Sequence, residues 1–399
     1  MKLKIAVVVP GRFHAFHLAC ALLNQGHDVT VFTNYPKWAA KRFGLPPKQV
    51  RSFWLHGVLT RVIEQVSWKF IRKYIDKGFV LLFSYWAAYA VRKEKWDVIH
   101  AWSGYATEIL KSKKNRSPLL LNRGSAHITT QTKLLKEEEK RMGLAVESAS
   151  PWMIKRELYE YQYSDAIAVP STFALNSFIE NEVAISKTRL LLLGANTKSF
   201  YPTEEIVAER CRRLREKETL RILYVGAITA QKGIYDLIQI MKKLEKEIKN
   251  KRFLFHLIGP VEPLLSAYLK PVSDLFIFTP KVPEFELPQW YAKGDIFIFP
   301  TIQDGYAVVL AQAHANALPV MTTHHCIGPE LIEENKSGWV FPIRRPCDFV
   351  EKLLWCDSHR EELEKMVRYI YHNIQFRDWE KVAKEFVAIS NEMTMSGSS

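Results

Sequence analysis

Short apolar runs alternate with longer amphipathic segments along most of the chain. Each run resembles a strand buried on both faces, and the segments between runs have the period of a helix with one apolar side. This alternation predicts parallel sheets covered by helices. The runs lie at 3–9, 29–33, 98–101, 119–121, 166–169 and 189–193, and then at 222–225, 253–258, 275–278, 296–299, 319–322 and 339–341.

A charged stretch at 194–219 separates the two sets of strands. A chain of 399 residues also exceeds what one hydrophobic core usually supports. The sequence therefore predicts an α/β protein with two doubly wound, Rossmann-like domains that face each other across a cleft. The predicted domains are residues 1–200 and 201–374, with a helix at about 375–393 that crosses back to the first domain. Ligands of such sheets bind at the carboxyl ends of the strands, so functional loops are expected there.

The charge is distributed unevenly between these halves. The formal net charge is +14, yet residues 1–200 carry 30 Lys and Arg against 15 Asp and Glu, whereas residues 201–399 carry 26 against 27. The first domain is therefore expected to meet an anionic partner: a nucleic acid, a membrane surface or a phosphorylated substrate. The five cysteines are scattered and form no CxxC pair, which indicates reduced thiols and neither a disulfide nor a zinc site.

Several familiar motifs are absent from the sequence. No GxGxxG follows a predicted strand, no GxxxxGK[ST] or GxSxG occurs, and no Asp-x-Asp pair could clamp a metal–nucleotide complex. These absences disfavour dehydrogenase, P-loop NTPase and hydrolase functions. The first apolar run is too short and strand-like for a signal peptide, and the longest apolar stretch, 78–91, is too short to span a bilayer.

Two loops of the second half carry the candidate chemistry. In YVGAITAQKGIYDLI (224–238), Lys232 precedes a helix whose N-terminal N–H groups favour an anion; an exposed lysine at a helix edge is the alternative. In FPTIQDGYAVVLAQAHANALPV (299–320), a helix is predicted from about 306 to 315. Asp304 and Gln312 are expected on one face of that helix, where a single ligand could touch both.

The order and separation of these loops resemble the carboxyl-terminal domain of glycosyltransferase family 4, a family of retaining enzymes with the GT-B fold. The family's GRLxxxKG, EGxGxxxxEAxAxGxPV and GGxPE motifs are matched by GAITAQKG, DGYAVVLAQAHANALPV and IGPELIEENKSGWVFP. GANTKSFYP (194–202) resembles the interdomain GVDTxxFxP. PGRFHAFHLACALLNQGHDV, RGSAH (123–127) and the 160–171 run resemble the branch that builds bacterial cell-surface glycans. The resemblance covers roughly residues 1–390.

The resemblance implies a role for each matched position. Lys232 would contact the donor diphosphate, Asp304 the transferred sugar, and Gln312 the ribose hydroxyls. His127 would approach the transferred sugar from the first domain, with a structural histidine as the alternative. Three further groups of positions would bind the donor. The loop facing the diphosphate would contain Gly11 and Arg12, and the backbone near the base would include Gly259 and Val282. Backbone N–H groups would be offered to sugar and phosphate by Gly305, Tyr306 and Ala307.

Three positions depart from the family pattern. The arginine of the family's first loop is Ala227 here, its first glutamate is Asp304, and its second is Gln312, which carries no charge. Loss of the arginine removes a bidentate partner for phosphate. We therefore expect Arg12 to supply that charge from the opposite domain, with a solvated loop residue as the alternative.

The resemblance implies transfer of a hexose-type sugar, with retention and without a metal, to a hydroxyl of a glycan or lipid-linked acceptor in cell-surface polysaccharide or glycolipid synthesis. No cofactor is expected, and the substrate would be a UDP-, GDP- or ADP-sugar. Two alternatives stay open. One is a glycosyltransferase with a soluble acceptor, as in sucrose- or trehalose-type chemistry. The other is a catalytically lapsed GT-B scaffold, which the changes at Ala227 and Gln312 motivate.

A basic, aromatic segment at 60–95 indicates where an anionic partner could bind. Apolar residues recur there near helical spacing, interleaved with Lys69, Arg72, Lys73 and Lys77, as in helices that lie on anionic lipid. The alternative is a helix pair that packs on the sheet. No RNA- or DNA-binding motif is recognisable, so no nucleic-acid partner is expected. The expected location is the cytoplasm, with peripheral association with the inner face of the membrane.

Overall fold

The computed structural model describes residues 2–64, 69–112, 117–195, 198–373 and 377–396, and only the backbone of residues 64, 69–74 and 396. Within these residues the chain forms two sheets, one of seven strands and one of six. The first sheet contains β1 (Lys4–Val9), β2 (Asp28–Thr33), β3 (Val50–Ser52), β4 (Val98–Trp102), β5 (Leu119–Asn122), β6 (Ala166–Val169) and β7 (Thr188–Leu190). The second contains β8 (Leu220–Val225), β9 (Phe253–Ile258), β10 (Phe276–Thr279), β11 (Ile296–Phe299), β12 (Val320–Thr323) and β13 (Gly338–Phe341).

Both sheets are parallel and doubly wound. The first runs β3-β2-β1-β4-β5-β6-β7 and the second β10-β9-β8-β11-β12-β13. In each sheet the order reverses beside the first strand of the domain: β1 lies between β2 and β4, and β8 lies between β9 and β11. At such a switch point the connections leave in opposite directions, so a crevice opens at the carboxyl ends of the strands.

Helices cover the faces of both sheets. Those of the first domain are α1 (Ala15–Asn24), α2 (Lys37–Lys41), α3 (Trp54–Glu64), α4 (Lys69–Val91), α5 (Thr107–Leu110), α6 (Ile128–Met142), α7 (Pro151–Tyr163) and α8 (Thr172–Ile179). Those that follow are α9 (Glu204–Arg215), α10 (Ile234–Lys243), α11 (Glu245–Lys249), α12 (Ser266–Leu269), α13 (Leu287–Tyr291), α14 (Val308–Ala315), α15 (Gly328–Leu331), α16 (Pro346–Ser358), α17 (Arg360–Asn373) and α18 (Trp379–Ser396). Among the helices described, none combines the length and the apolar character that a bilayer crossing requires.

The central strands are buried on both faces, which explains why they are continuous apolar runs in the sequence. Residues 5–9 of β1 and 296–298 of β11 are completely buried. The two predicted Rossmann-like domains are confirmed, and every predicted strand is present with ends that differ by a few residues. The sequence pattern missed β3, because only Val50 of its three residues is buried.

The final helix joins the two domains. α18 crosses back from the second domain and packs on α1 of the first. Its apolar side, which includes Val382 and Phe386, is buried in the core of the first domain. His100 of β4 lies against it, with its ring centroid 5.0 Å from that of Phe386, and His100 Nδ1 donates to the Leu120 carbonyl at 3.1 Å. Burial lowers the pKa of His100 to about 3, so the ring is neutral.

We predict that acidification weakens the folded state through His100. The folded chain keeps this ring neutral down to about pH 3, whereas an unfolded histidine binds a proton below its ordinary pKa of 6.5. Because the unfolded state then binds more protons, the contribution of His100 to stability is complete above pH 6.5 and falls as the pH drops toward 3. The slope for one such group is at most about 1.4 kcal/mol per pH unit.

The measurement is the free energy of unfolding in urea, compared between pH values on either side of the histidine pKa. His100→Gln keeps a donor for Leu120 but does not titrate. The variant should therefore lose less stability on acidification than the wild type. Identical pH dependence in the two proteins would contradict the assignment to His100.

Candidate active site

The carboxyl ends of the two sheets meet at a backbone contact. Gly305, in the loop after β11, lies against Gly124, in the loop after β5. A Cβ atom on Gly305 would lie 1.9 Å from the Gly124 carbonyl oxygen. Beside this point Ser125 Oγ donates to Gln303 Oε1 at 2.8 Å. The loops that carry the predicted chemistry therefore lie at the junction of the domains.

Lys232 and Asp304 form an ion pair at this junction. Lys232 Nζ lies 2.5 Å from Asp304 Oδ2, and the two side chains are 21% and 19% exposed. Lys232 comes from the loop before α10 and Asp304 from the loop after β11, so the structure brings together two residues predicted from separate motifs. An anion that approaches Lys232 must compete with this carboxylate, and it would release the carboxylate for another partner.

Glycines allow the loops of the second domain to approach each other closely. Gly233 has a φ of +77°, and a Cβ atom there would lie 1.7 Å from the Pro300 carbonyl oxygen. Gly259 has a φ of +147°, and a Cβ atom there would lie 2.0 Å from the Gly226 carbonyl oxygen. Only glycine adopts a positive φ and fits without a Cβ atom at low energetic cost. The backbone at Gly259, predicted to lie near the base, is therefore held directly against the loop that carries Lys232.

The helix after Asp304 begins later than the sequence predicts. α14 starts at Val308, so Asp304 lies outside it, and the predicted shared helix face for Asp304 and Gln312 is wrong. Asp304 instead folds back on its own loop, where Oδ1 accepts a hydrogen bond from Tyr306 N at 3.3 Å. The Tyr306 N–H, which was predicted to donate to sugar or phosphate, donates within its own loop instead. Ala307 then adopts a φ of +62°, a strained conformation of the kind that clusters at functional sites.

The Tyr306 side chain ties this loop to the connection between the domains. Its hydroxyl donates to the Leu193 carbonyl at 2.6 Å. Arg377, which precedes α18, holds the same connection through a bond from Nε to the Leu192 carbonyl at 3.1 Å. The loop, the interdomain connection and the returning helix are therefore linked in one chain of contacts.

Gln312 lies inside α14 and is buried. The Tyr291 hydroxyl donates to Gln312 Oε1 at 3.2 Å. The amide oxygen is thus engaged by the protein, and the NH₂ group is the part of Gln312 with donors to offer. A glutamate here could accept the same bond but could not donate. The predicted contact of Gln312 with ribose stays a prediction.

The loop after β1 faces the second domain. Gly11 has a φ of +105°, and the Arg12 guanidinium lies 4.2 Å from the centre of the Phe43 ring, a cation–π arrangement. Burial lowers the pKa of His17, the charge of Arg12 lowers it further, and Glu284 of the second domain raises it. Arg12 and Glu284 therefore act on one side chain from opposite domains. The contact of Arg12 with a diphosphate stays a prediction.

His127 has a structural role in the first domain. It is the N-cap of α6, where Nδ1 accepts a hydrogen bond from Thr129 N at 3.3 Å. Its ring packs against Tyr161 and Phe178, with centroid separations of 4.9 and 5.0 Å. Burial, and then the charge of Arg123, lower its pKa to about 4. These contacts all lie in the first domain, and none of them joins His127 to the ion pair at the junction.

Sequence reasoning missed a buried polar network that shapes the first domain's loops. The Glu160 carboxylate accepts hydrogen bonds from the backbone N–H groups of Gly104, Ala106 and Thr107 at 2.5, 2.9 and 2.9 Å. Arg156 Nε donates to the Gly104 carbonyl at 2.6 Å. Together the two side chains fix the loop after β4. The sequence signal was only a charged helix before β6, with nothing to indicate that its charges are buried.

An ion network crosses between the domains along α6. Glu138 is completely buried and accepts from Arg141 at 2.8 Å and from Arg344 of the second domain at 2.7 Å. Arg344 also pairs with Glu137 at 2.6 Å, and Arg141 pairs with Asp236 in the first turn of α10 at 2.7 Å. Because Asp236 follows Lys232 closely, the network supports the domain contact beside the candidate site.

A third cross-domain contact follows β6. The Phe173 ring stacks on His325 with centroids 4.3 Å apart, and Thr172 N donates to the Glu330 carboxylate. Glu330 is the glutamate of the matched IGPEL motif, so the structure gives it a role in joining the domains.

The junction contacts described above do not include the other predicted residues. Val282 packs, partly buried, against the core of the second domain. The side chains of Lys69, Arg72 and Lys73 lie outside the described residues. Lys77 is described, and its Nζ lies 5.5 Å from the centre of the Trp152 ring. Within the described part of the chain, no three His, Cys, Asp or Glu side chains form a group that could hold a metal ion.

Solved structures share this two-domain architecture. Anabaena HepE in complex with UDP superposes with a TM-score of 0.68 over 98% of this chain and 100% of that one, at 12% identity. WaaG, described as a glycosyltransferase involved in lipopolysaccharide biosynthesis, superposes with a TM-score of 0.63 over 96% and 99% of the two chains, at 14% identity. At such identities the likeness establishes the fold, which is GT-B.

Two family models match the chain, one on each domain. Residues 12–198 match the model described as glycosyltransferase family 4, and residues 219–358 match the model described as glycosyl transferases group 1. The chain belongs to the GT-B glycosyltransferases of the family 4 type. The two matches together cover most of the sequence, and they include both members of the Lys232–Asp304 pair.

Curated relatives match over part of their length. Spore coat protein SA of Bacillus subtilis is 25% identical over 224 residues, which are 52% of this chain and 59% of that protein. Sulfoquinovosyl transferase SQD2 of Arabidopsis thaliana is 28% identical over 238 residues, 57% of this chain and 44% of that protein. The chain thus spans about half the length of these relatives. Other relatives are named for colanic acid and amylovoran biosynthesis, so the GT-B chain has homologues in cell-surface glycan synthesis.

We predict that Gly305→Ala disrupts the contact between the two domains, whereas Gly124→Ala leaves it intact. The added Cβ at Gly305 would meet backbone atoms of Gly124 and Ser125 at 1.9 to 2.9 Å, and backbone cannot yield as a side chain can. The Cβ added at Gly124 meets nothing within 4 Å. Small-angle scattering should show a larger radius of gyration for Gly305→Ala, and thermal unfolding should begin at a lower temperature. A Gly305→Ala protein as compact and stable as Gly124→Ala would contradict the domain contact.

Proposed function

We propose that this GT-B chain transfers a sugar from a nucleoside-diphosphate sugar to a hydroxyl of a glycan or lipid-linked acceptor in cell-surface glycan synthesis. The observation that carries the proposal is the Lys232–Asp304 pair, held at the junction of the domains between the loops after β8 and β11. The family matches on both domains support it, as do structural relatives that bind UDP or UDP-glucose.

The ion pair suits a diphosphate donor because it can exchange partners. A diphosphate oxygen that reaches Lys232 Nζ would displace Asp304 Oδ2, which then becomes free to accept from sugar hydroxyls. One binding event would thereby position both the leaving group and the sugar. Charge-assisted bonds of this kind are stronger than neutral ones, and preorganised donors that meet a developing negative charge lower the barrier by a few kcal/mol.

The remaining roles follow the same geometry. Arg12, in the loop that faces the second domain, would add positive charge from across the junction in place of the arginine absent at Ala227. The bond from the anomeric carbon to the diphosphate breaks, the acceptor oxygen bonds to that carbon, and the acceptor proton leaves with the departing phosphate. We propose retention of configuration and no metal, and we assign no covalent nucleophile. Gln312 would donate from its NH₂ group to ribose.

The test of the function is release of a nucleoside diphosphate by the purified chain. The protein is incubated with UDP-, GDP- and ADP-sugars, with and without a glycan or lipid-linked acceptor, and the product diphosphate and the transferred sugar are measured. Faster release with one donor, and transfer to an acceptor, would support the proposal. Transfer to small sugars alone would favour the soluble-acceptor alternative. Donor binding without turnover under any condition would favour a lapsed scaffold.

We predict that Lys232→Met weakens binding of a nucleoside diphosphate much more than binding of the nucleoside alone. The substitution removes a charge-assisted bond to phosphate, a loss of about 1.5–3 kcal/mol or roughly ten- to hundredfold in affinity. Calorimetry with UDP and uridine, or with the pair whose base binds best, measures the difference. Lys270→Met, at an exposed position of the second domain, serves as the control. An unchanged UDP affinity in Lys232→Met would contradict the assigned contact.

We predict that His127 stabilises the first domain and does not touch the sugar. Both His127→Asn and His127→Ala lose the packing of the ring, but asparagine also caps helices, so the alanine variant should be less stable by about 1 kcal/mol. Turnover per folded molecule should stay near the wild-type value in both. Loss of turnover in a folded His127→Asn protein would instead favour the sugar contact that the family resemblance implies.

A further inference from the structure

Strand β10 forms an open edge of the second sheet. It is the last strand in the order β10-β9-β8-β11-β12-β13, so among the described strands only β9 pairs with it. Its residues, Phe276–Thr279, carry no charge, and Ile277 and Phe278 are 47% and 42% exposed. Native proteins usually place charges on such an edge or cover it, because its free N–H and C=O groups can pair with another strand.

The other edges of the two sheets, within the described part of the chain, have such protection. The first sheet ends in β3 and β7, which carry Arg51 and Arg189. The far edge of the second sheet is β13, where Gly338 pairs with Glu334 and Val340 N donates to the Glu334 carboxylate at 3.3 Å. An edge that is both uncharged and exposed is therefore a particular feature of β10.

The pairing with β9 determines which backbone groups of β10 face outward. Gly259 N donates to the Thr279 carbonyl at 3.0 Å, so the backbone of Thr279 is turned toward β9. Successive residues of a strand turn their N–H and C=O groups to opposite sides. Ile277 therefore also faces β9, whereas the N–H and C=O groups of Phe276 and Phe278 face the open edge.

These outward groups match those of a second copy in one antiparallel register. With a two-fold axis at Ile277, Phe276 of each copy faces Phe278 of the other, and each of these pairs exchanges both N–H···O bonds. The two Ile277 side chains then meet across the axis, at the closest spacing that antiparallel strands allow. An axis at Phe278 would instead place Phe276 opposite Pro280, which has no N–H to donate.

Charge favours a second copy of the chain as the occupant of this edge. Asp274 and Lys281 are exposed on either side of β10, and an antiparallel arrangement brings the Asp274 end of one strand to the Lys281 end of the other. Residues 201–399 are nearly neutral, with 26 Lys and Arg against 27 Asp and Glu, so two second domains repel each other little. The carboxyl ends of the two sheets point in opposite directions, which keeps the two basic first domains apart.

A groove at the amino end of β10 would add contact area to the strand pairing. It has a volume of about 650 Å³, and its lining includes the apolar residues Phe253, Phe276 and Ile277 together with Asp274. Because the paired strands are antiparallel, residues 280–283 of the second copy would leave their strand toward this groove. Such added area matters, because stable interfaces bury about 800 Å² on each partner and a short strand alone does not supply it.

We propose that two copies of the chain associate through β10, with the strands antiparallel and the two-fold axis at Ile277. The two six-stranded sheets then form one continuous sheet. The crevices of the two copies open away from each other, so each copy keeps its own candidate site. The association does not depend on the transfer reaction.

The first measurement is sedimentation velocity of the full chain over a range of concentrations, where the wild type should show a monomer–dimer equilibrium. Phe278→Pro removes an outward N–H and leaves the bonds to β9 in place, and Ile277→Lys sets like charges opposite each other. Each substitution should weaken the dimer by about tenfold or more. Leu190→Lys is the matched control, because it adds the same charge to the edge strand β7 at a residue that is 38% exposed; it should dimerise as the wild type does.

The second measurement is disulfide trapping, which tests the register. Ile277→Cys should crosslink to its own copy on mild oxidation, because directly opposed residues of this kind lie within disulfide range. Phe278→Cys is the control, since Phe278 faces Phe276 of the other copy and its own counterpart lies too far away. The exposed Cys347 gives the background, which the wild type measures.

Binding of UDP should be unchanged in every variant, which separates a failure of association from a failure of the proposed function. The proposal is overturned if the wild type is monomeric at every concentration, or if either Phe278→Pro or Ile277→Lys dimerises as well as the wild type. Crosslinking of Ile277→Cys and Phe278→Cys at equal rates would also overturn it.

Discussion

The candidate site depends on a steric constraint between two backbones. The loops after β5 and β11 come so close at Gly124 and Gly305 that a single methyl group would not fit between them. The loop after β5 is fixed by Arg123, whose Nε donates to the Ala126 carbonyl at 3.1 Å, and the loop after β11 is fixed by the Gly233–Pro300 contact. The ion pair, the strained turn at Ala307 and the cross-domain contacts all stand around this point.

Local patterns in the sequence were sufficient for the fold. Strands such as β1 and β11 are completely buried, so their composition alone marks them, and the helices between them carry one apolar side. The residues of the ion pair could also be found, because Lys232 and Asp304 each follow a recognisable strand. What the pattern could not give was the start of α14. The turn at Ala307 uses a conformation that alanine rarely adopts, and α14 therefore begins two residues further from Asp304 than predicted.

Sequence patterns could not predict the contacts between distant segments, and the reason is different. Glu138 and Glu160 are completely buried, yet charged residues on amphipathic helices usually face water, so pattern alone assigns them to the surface. Their burial depends on partners up to 206 residues away, such as Arg344. The two roles considered for His127 show the same limitation. A histidine in a loop after a strand can face a ligand or cap a helix, and only its neighbours Tyr161 and Phe178 distinguish the two.

The hydrogen bond from Tyr306 to Leu193 has a mechanical consequence. It attaches the turn that carries Asp304 to the interdomain connection about which the two domains would rotate. A rotation that widens the crevice must therefore stretch this bond or drag the turn along with it. A ligand that separates Lys232 from Asp304 would therefore also change the width of the crevice.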